Sequence, residues 1–370
     1  MPRRGENIYK RKDGRWEGRY IKSRLPDGKA KYGYIYAESY RNVKTKLKNI
    51  TQTTYVPNKD TISGTYSELL FKWLQSKRIT VKESTFTRYR RIVEIYIIPA
   101  LGNRQVCDIT SIIVEEYTHN LLANGRLDGK GGLAHKTVSD ILVILKSSLE
   151  YGRDNNYQIN CNTKRISVKK KDKEMRVLSI SEQTVLSNYL RQDMNLYKLG
   201  ILLSLYTGIR IGELCALRWE NIQLEAKTIK IRETLQRIPT VGESSKTRII
   251  ITEPKSACSV REIPLPECLL PIITPFQASP KAYVLTGDKN RYAEPRTMQY
   301  HFHQYIKKTG IASANYHSLR HTFATRCVEA GFEIKSLSEI LGHSSVNITL
   351  NRYVHSSFEL KVQNMNKLTF

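Results

Sequence analysis

The stretch "YHSLRHTFATRCVEAG", residues 316–331, carries two chemical alternatives on one predicted helix. His317 and Arg320 are three residues apart and share a helix face. His317 and His321 are four residues apart, which is the spacing of two zinc ligands on a helix. A zinc helix of the H-E-x-x-H type has Glu after the first His, but Ser318 stands there, and Arg320 would place a cation beside the metal. The stretch therefore argues against a zinc site.

Upstream, the stretch "TGIRIGELCALRW", residues 207–219, predicts a break between two helices. Gly208 ends one helix and Arg210 opens the next, where an apolar stripe follows. Glu213, three residues after Arg210, can brace its guanidinium. Further on, "EPKSACSVREIPL" places Lys255 in a β-turn between two strand-like runs. Taken singly, an arginine at a helix start and a lysine in a turn are common surface features.

Downstream, two short stretches add a histidine and a tyrosine. In "ILGHSSVNITL", residues 340–350, His343 lies at a helix junction. In "NRYVH", Tyr353 follows His343 by ten residues. The chain has 22 tyrosines, so Tyr353 by itself reads as an ordinary helix residue. Only its spacing from the upstream residues gives it a chemical role.

Together these side chains suit the cleavage of a phosphodiester. Two arginines can bind the non-bridging oxygens through charge-assisted, fork-shaped hydrogen bonds. A lysine can protonate a leaving alkoxide, and a histidine can take a proton from an attacking hydroxyl. A tyrosine can form a covalent phosphoester and so divide one difficult step into two easier ones. Such a site needs no metal or other cofactor, because guanidinium groups supply the electrostatic stabilisation.

These motifs resemble the signature of the tyrosine recombinase (phage-type integrase) family. The matching segments are "TGIRIGEL", "HSLRHTFAT" and "LGHSS" followed by Tyr ten residues after the His, and the match covers roughly residues 177–360. The likeness implies the fold of DNA breaking and rejoining enzymes. It also implies a catalytic set made of Arg210, Lys255, His317, Arg320, His343 and Tyr353.

By this resemblance, Tyr353 attacks the scissile phosphate and forms a 3′-phosphotyrosine with a free 5′-hydroxyl. Arg210, Arg320 and His343 would hold the phosphate. Lys255 would be the general acid, and His317 would assist the tyrosine as base. Two such exchanges would proceed through a Holliday junction, without ATP or metal.

The region before this domain divides into two parts. Residues 63 to about 160 contain four predicted helices with short loops, which suggests a compact bundle. Residues 1 to about 50 hold 15 Lys and Arg against 5 Asp and Glu and contain short β-prone runs. We expect a three-stranded sheet packed on one helix, with Tyr32, Tyr34 and Tyr36 on one strand face. That sheet either lies in a DNA groove or packs its tyrosines on the helix and leaves its charges solvated.

The fold class expected is therefore multidomain. It comprises an N-terminal sheet and helix at 1–52, an all-α four-helix domain at 60–165, and a mixed, mainly α domain with a small sheet at 174–370. The resemblance identifies these as arm-type DNA-binding, core-binding and catalytic domains. Since chromosome-dimer resolvases of the family usually lack the arm domain, it favours integration and excision of a mobile element.

Bulk composition points to the same partner. The chain has 60 Lys and Arg against 34 Asp and Glu, a formal charge of +26, which predicts a polyanionic partner such as nucleic acid. No apolar run approaches the roughly 20 residues that span a bilayer. Six cysteines without a C-x-x-C pair indicate reduced thiols in a cytoplasmic protein rather than a zinc or disulfide framework. The resemblance implies that this protein is bacterial and nucleoid-associated.

The resemblance implies double-stranded DNA with core and arm sites as partner, a homo-tetramer on that DNA, and allows for a small accessory excision factor. Apolar residues of the tail after Tyr353 dock either on a neighbouring subunit or on their own domain; they are Phe358, Leu360, Val362 and Leu368. Two rival functions are a DNA-binding regulator that has lost catalysis and a type IB topoisomerase-like nicking and sealing enzyme.

Overall fold

The structure is a computed structural model. It describes residues 7–24, 30–53, 62–169, 175–240, 247–254, 257–354, 362 and 365–366. The chain forms two compact units, Met1–Ile79 with Ile92–Val168, and Thr80–Arg91 with Lys169–Phe370. No helix in the described parts of the chain combines the length and apolar character that crossing a membrane requires.

The first unit begins with an antiparallel sheet whose strands lie in the order β1-β2-β3. Its elements are β1 Ile8–Lys10, β2 Trp16–Arg24, β3 Ala30–Ala37 and the following helix α1 Tyr40–Thr53. Val43 of α1 is fully buried against the sheet. Gly18 makes this close approach possible, because a Cβ there would lie 2.5 Å from a methyl carbon of Val43. The predicted sheet-and-helix unit is confirmed.

The other face of this sheet is open. Tyr32, Tyr34 and Tyr36 are 39%, 51% and 42% exposed. The guanidinium of Arg19 lies 3.4 Å from the ring centre of Tyr32, a cation–π contact. The alternative in which these tyrosines pack on α1 is therefore wrong, and α1 covers the opposite face.

The rest of the first unit is helical. Its helices are α2 Tyr66–Thr80, α4 Ile98–Leu101, α5 Ser111–Asn124 and α6 His135–Asp154. Helix α3, Glu83–Ile92, follows α2 in the chain, and all of it except its last residue belongs to the second unit. A π turn, Val93–Ile97, joins α3 to α4. The three segments therefore form one continuous helix that has a wider turn in its middle. The helical spacing in α2 predicts one apolar face made of Leu69, Leu70, Trp73 and Leu74. The first three are buried and Leu74 is half-buried. The hydroxyl of Tyr66 lies 2.7 Å from that of Ser148 on α6.

The second unit is built around one helix that is buried on nearly all sides. In this helix, α8 Leu196–Thr207, nine of twelve residues are buried. The other helices are α7 Ile180–Arg191, α9 Ile211–Ala216, α10 Leu270–Ile273, α11 Pro295–Lys308, α12 His317–Glu329, α13 Ile334–Leu341 and α14 Val346–Tyr353. Because most of α8 is buried, packing on several sides holds the ends of this helix in place within the unit.

Two small antiparallel sheets lie between α9 and α10 in the chain. The strands are β4 Ile222–Gln223, β5 Thr228–Ile231, β6 Thr234–Pro239, β7 Thr247–Thr252 and β8 Arg261–Pro264. They form one sheet in the order β4-β5-β8 and a hairpin of β6 with β7. Helices, a β-rich middle and helices again follow one another as the sequence predicts. The multidomain, mainly helical fold class is confirmed.

Candidate active site

Five of the six predicted site residues lie in the described chain, and the second unit brings them together. Arg210 precedes α9, His317 and Arg320 begin α12, His343 lies between α13 and α14, and Tyr353 ends α14. Lys255 falls between β7 and the 3-10 turn Ala257–Ser259, outside the described residues. Their catalytic roles remain predictions.

Arg320 lies at the centre of the site and is only 3% exposed. It donates hydrogen bonds to the carbonyls of Gly208 (2.8 Å) and Leu341 (2.6 Å), at the C-terminal ends of α8 and α13. Helix C-termini present unpaired carbonyls with partial negative charge, so they suit a buried guanidinium. Burial and the nearby Arg210 lower the Arg320 pKa to about 9, which leaves it charged at neutral pH. Its remaining N–H donors are available to an anion.

Arg210 is held at the same edge by Glu213. Its Nη1 donates to the Glu213 carboxylate (2.8 Å), and its backbone N–H donates to the other carboxylate oxygen (3.0 Å). Its Nη2 donates to the carbonyl of Gly342, the residue before His343 (2.9 Å). The predicted bracing of Arg210 by Glu213 is therefore present.

Glu213 also binds a second arginine, Arg261 of β8. The guanidinium of Arg261 donates to both carboxylate oxygens, at 3.1 and 2.8 Å, and to the carbonyl of Ile340 at 2.6 Å. Burial favours the neutral carboxyl, but the hydrogen bonds and charges of Arg261 and Arg210 outweigh it and lower the Glu213 pKa. Together with Arg320, these two arginines place three positive charges around the single negative charge of Glu213. The cluster therefore keeps an excess of positive charge, which suits the binding of a phosphate.

Gly342 is required where these groups meet. It has φ +62°, in the left-handed region that glycine occupies without strain. A Cβ there would lie 3.0 Å from Arg261 side-chain atoms and 3.1 Å from the carbonyl of Cys258. The "LGH" segment can therefore turn tightly and present the Gly342 carbonyl to Arg210.

Tyr353 is 5% exposed and lies between two histidines. Its hydroxyl is 2.8 Å from Nδ1 of His321, and its ring stacks parallel to that of His343 at 6.4 Å. His343 is fixed in turn by Thr349, whose hydroxyl lies 2.8 Å from its Nδ1. The ring of His317, the predicted base, meets that of His321 edge-on at 4.5 Å. The tyrosine hydroxyl is thus paired with the second histidine of "HSLRH".

The three histidines are neutral at pH 7. Desolvation, together with nearby positive charges, lowers the pKa of His317 and His321 to about 4 and that of His343 to about 3. Arg320 contributes to all three shifts, as does Arg352 on α14. Burial raises the pKa of Tyr353, although Arg320 and Arg352 oppose that effect. The resting site therefore combines a neutral phenol with neutral imidazoles.

Protein stability should fall as the pH is lowered from 7 to 5. The unfolded chain has histidine pKa values near 6.5, above the folded values, so it binds more protons over this range. The contribution of His321 to stability is thus present above pH 6.5 and is lost towards pH 4. Urea unfolding at several pH values measures the slope, and His321→Asn should flatten it. An unchanged slope in that variant would contradict the assignment.

A cavity of about 130 Å³ opens beside Arg320. Its polar lining includes Gln299, Asn315 and His317. Arg320 and His317 both border this space, so it adjoins two of the predicted site residues. Within the described residues, no group of three or more His, Cys, Asp or Glu side chains is arranged to hold a metal.

Sequence reasoning missed three residues of this site. Arg261 lies in "SVREIPL", where its strand position gave no sign of a link to Glu213. His321 was considered only as a zinc ligand, although its position after Arg320 on the same helix was visible. Arg352 directly precedes Tyr353. A nucleophilic tyrosine needs positive charge nearby to favour its phenolate form, so this arginine could have been predicted as part of the site.

Two family models match the chain. The phage integrase family model matches residues 177–359, and the model of the phage integrase N-terminal SAM-like domain matches residues 65–122. The first covers the whole candidate site. The second covers α2 to the greater part of α5.

Curated relatives match along most of the chain. A protein called tyrosine recombinase XerC-like, from Caldanaerobacter subterraneus subsp. tengcongensis, is 26% identical over 88% of this chain and 87% of its own length. A putative prophage phiRv2 integrase of Mycobacterium tuberculosis is 24% identical over 93% and 89%.

Solved structures share the fold. The Tn1549 transposon integrase, in complex with a circular intermediate DNA, gives a TM-score of 0.67 at 23% identity and covers 82% of this chain and 99% of its own. A lambda integrase dimer bound to a core site gives 0.57 at 18% identity, covering 96% and 97%.

Proposed function

Because this chain belongs to the phage integrase family of tyrosine recombinases, which cleave and rejoin DNA at specific sites, we propose that Tyr353 is its nucleophile. One observation carries the proposal. The Tyr353 hydroxyl lies inside a cluster of arginine and histidine side chains that has excess positive charge. Two other buried tyrosines of the described chain, Tyr66 and Tyr316, bond instead to serine hydroxyls.

In this proposal the arginines hold the scissile phosphate. Arg210 and Arg320 each use two guanidinium nitrogens on protein oxygens and keep further donors for non-bridging oxygens. Their backbone and carboxylate partners fix them before DNA arrives, so little reorganisation is needed in the transition state. His343 adds a neutral imidazole next to the same centre.

The chemistry divides into two transfers. The Tyr353 oxygen bonds to phosphorus as the bond to the 5′-oxygen breaks, and Lys255 gives that oxygen a proton. The product is a 3′-phosphotyrosine and a free 5′-hydroxyl. A 5′-hydroxyl then attacks, the phosphotyrosine bond breaks and the DNA strand is rejoined. His317 is the base that the family resemblance assigns to Tyr353.

The biological role proposed is integration and excision of a mobile element through a Holliday junction. The prophage integrase relative supports this role over chromosome-dimer resolution, and so does a basic N-terminal sheet domain. A lambda integrase tetramer has been solved on a Holliday junction, which supports a homo-tetramer of this chain on DNA. An accessory excision factor and a bacterial, cytoplasmic, nucleoid-associated location complete the proposal.

The domain boundaries proposed are 1–52 for arm-site binding, 60–165 for core-site binding and 174–370 for catalysis. The first residues of the second and third domains, 60 and 174, fall in segments outside the described residues. Of the apolar tail residues, Phe358, Leu360 and Leu368 also lie outside the described chain, while Val362 is 43% exposed. Docking of the tail on a neighbouring subunit is therefore part of the proposal that rests on the family resemblance alone.

The open sheet face in the first unit supplies the arm-binding surface. Tyr32, Tyr34 and Tyr36 present exposed rings, and Arg19 lies among them. Aromatic rings contact sugar and base surfaces, while the basic residues neutralise phosphates.

Tyr34→Ala should weaken binding to an arm-site duplex by roughly tenfold, because its ring is the most exposed of the three. Binding of the duplex by the wild-type protein and by Tyr34→Ala should weaken steeply with rising salt, since the DNA releases counterions when its phosphates are neutralised. Fluorescence anisotropy over a salt series measures both effects. Tyr300→Ala, which removes another exposed tyrosine from the second unit, is the control. A flat salt response would contradict this surface.

A suicide substrate tests the function as a whole. A nicked duplex that carries the attachment site traps the covalent intermediate, because the short 5′-hydroxyl fragment diffuses away. Wild-type protein with chelator present should give a denaturant-stable adduct. The absence of an adduct would favour the regulator. With two duplexes, a four-way junction intermediate is expected, and its absence beside efficient adduct formation would favour the topoisomerase-like enzyme.

A further inference from the structure

The nucleophile hydroxyl is bonded to a histidine to which no role has been given. Nδ1 of His321 lies 2.8 Å from the Tyr353 oxygen, and both side chains are buried, at 7% and 5% exposure. This is the distance for direct proton transfer. Among the described residues, His317 makes no corresponding contact with Tyr353; its ring meets His321 instead.

The charges around the phenol favour donation of its proton to His321. Arg320 and Arg352 place positive charge near the Tyr353 oxygen, and a guanidinium has no acceptor atom that could receive the hydroxyl proton. Within the described residues, His321 is the hydrogen-bond partner of that hydroxyl. The ring arrangement of a neutral His321 that receives the proton carries hydrogen on Nε2 and a lone pair on Nδ1.

We propose that His321 is the proton acceptor for Tyr353 in both strand cleavage and strand rejoining. This inference rests on the proposed function and reassigns the base from His317 to His321. As the phenolic oxygen bonds to phosphorus, its O–H bond breaks and the proton moves to Nδ1 of His321. On rejoining, the bond from Tyr353 to phosphorus breaks and His321 returns the proton.

Charge balance makes the transfer feasible inside a cationic cluster. Burial, His317, Arg352 and Arg320 all disfavour an imidazolium at His321. In the same step, however, Lys255 gives its proton to the 5′-oxygen, so one positive charge appears as another disappears. Bound DNA phosphate adds negative charge to the cluster as well. A weak base also returns its proton readily, which suits a reaction that must run in both directions.

Asparagine at the two histidine positions, combined with fluorinated tyrosine at 353, tests the assignment. The asparagine side chain can still hydrogen-bond to the hydroxyl but cannot take its proton. Fluorination lowers the phenol pKa and so reduces the need for a base. The readout is the single-turnover rate of adduct formation on the suicide duplex, with His317→Asn as the matched variant.

With natural tyrosine, His321→Asn should slow adduct formation by about 10²–10⁴-fold. A 2,3,5-trifluorotyrosine at position 353 should restore most of that loss, but should not restore the rate of His317→Asn. Rescue of His317→Asn instead, or a near-normal rate for His321→Asn, would overturn the inference. If wild-type protein forms no adduct, the proposed function itself fails, which is a separate result.

The wild-type protein provides a measurement that does not depend on variants folding. Nitrogen NMR of histidine-labelled protein distinguishes a protonated ring nitrogen from one with a lone pair. The signal of His321, assigned by its loss in His321→Asn or by site-specific labelling, should show an unprotonated Nδ1 at pH 7. A protonated Nδ1 would overturn the inference.

Discussion

Tyr353→Phe is expected to abolish the covalent protein–DNA adduct while the protein stays folded and binds DNA. The substitution removes one oxygen, and the phenylalanine ring fits the space that the buried tyrosine ring occupies. The lost hydrogen bond to His321 costs about 1 kcal/mol of folding stability. Catalysis by contrast loses its nucleophile, and no neighbouring group on α14 replaces a phenol at that point.

The measurement is denaturing gel electrophoresis of the suicide reaction, with DNA affinity and urea unfolding determined in parallel. Tyr66→Phe is the matched control. Tyr66 is fully buried, and its hydroxyl lies 2.7 Å from that of Ser148 in the first unit. The control should lose similar stability and keep the adduct. An adduct that persists in Tyr353→Phe would overturn the assignment of the nucleophile.

Helical spacing explains how much of the site could be predicted from sequence. His317 and Arg320 share a face because they are three residues apart on α12. Arg210 could be placed because Gly208 ends α8 in the left-handed conformation that glycine favours. These positions depend on local backbone geometry, which a single sequence specifies well.

Partners that meet only through tertiary packing were harder to predict. Arg261 reaches Glu213 across 48 positions, and the strand pattern of β8 contains no information about that distance. His321 and Tyr353 are 32 positions apart and meet because α14 returns to α12. The sequence therefore indicated which residue types the site needs. The family resemblance, however, gave the role of base for Tyr353 to His317.

Glu213→Ala should give the largest loss of stability among single changes in this site, about 3–5 kcal/mol. Glu213 is 3% exposed and is the carboxylate partner of both Arg210 and the buried Arg261. Its removal leaves two guanidiniums close together without a counter-charge, and Arg210 loses the bonds that direct it to the phosphate. Adduct formation should therefore fall even under conditions where the variant is folded.

The exposed pair of Arg237 with Glu294 provides the control for Glu213→Ala. Its side chains are 43% and 31% exposed, so Glu294→Ala should cost less than about 1 kcal/mol. Because the Glu213 pKa is lowered in the folded protein, its contribution is present above the ordinary value of 4.5 and is lost as the pH falls below it. Urea unfolding at pH 7 and at lower pH should therefore show the free energies of unfolding of the wild-type protein and Glu213→Ala converging only under acid conditions. Equal small losses in both variants at pH 7 would mean that Glu213 does not hold the arginine pair together.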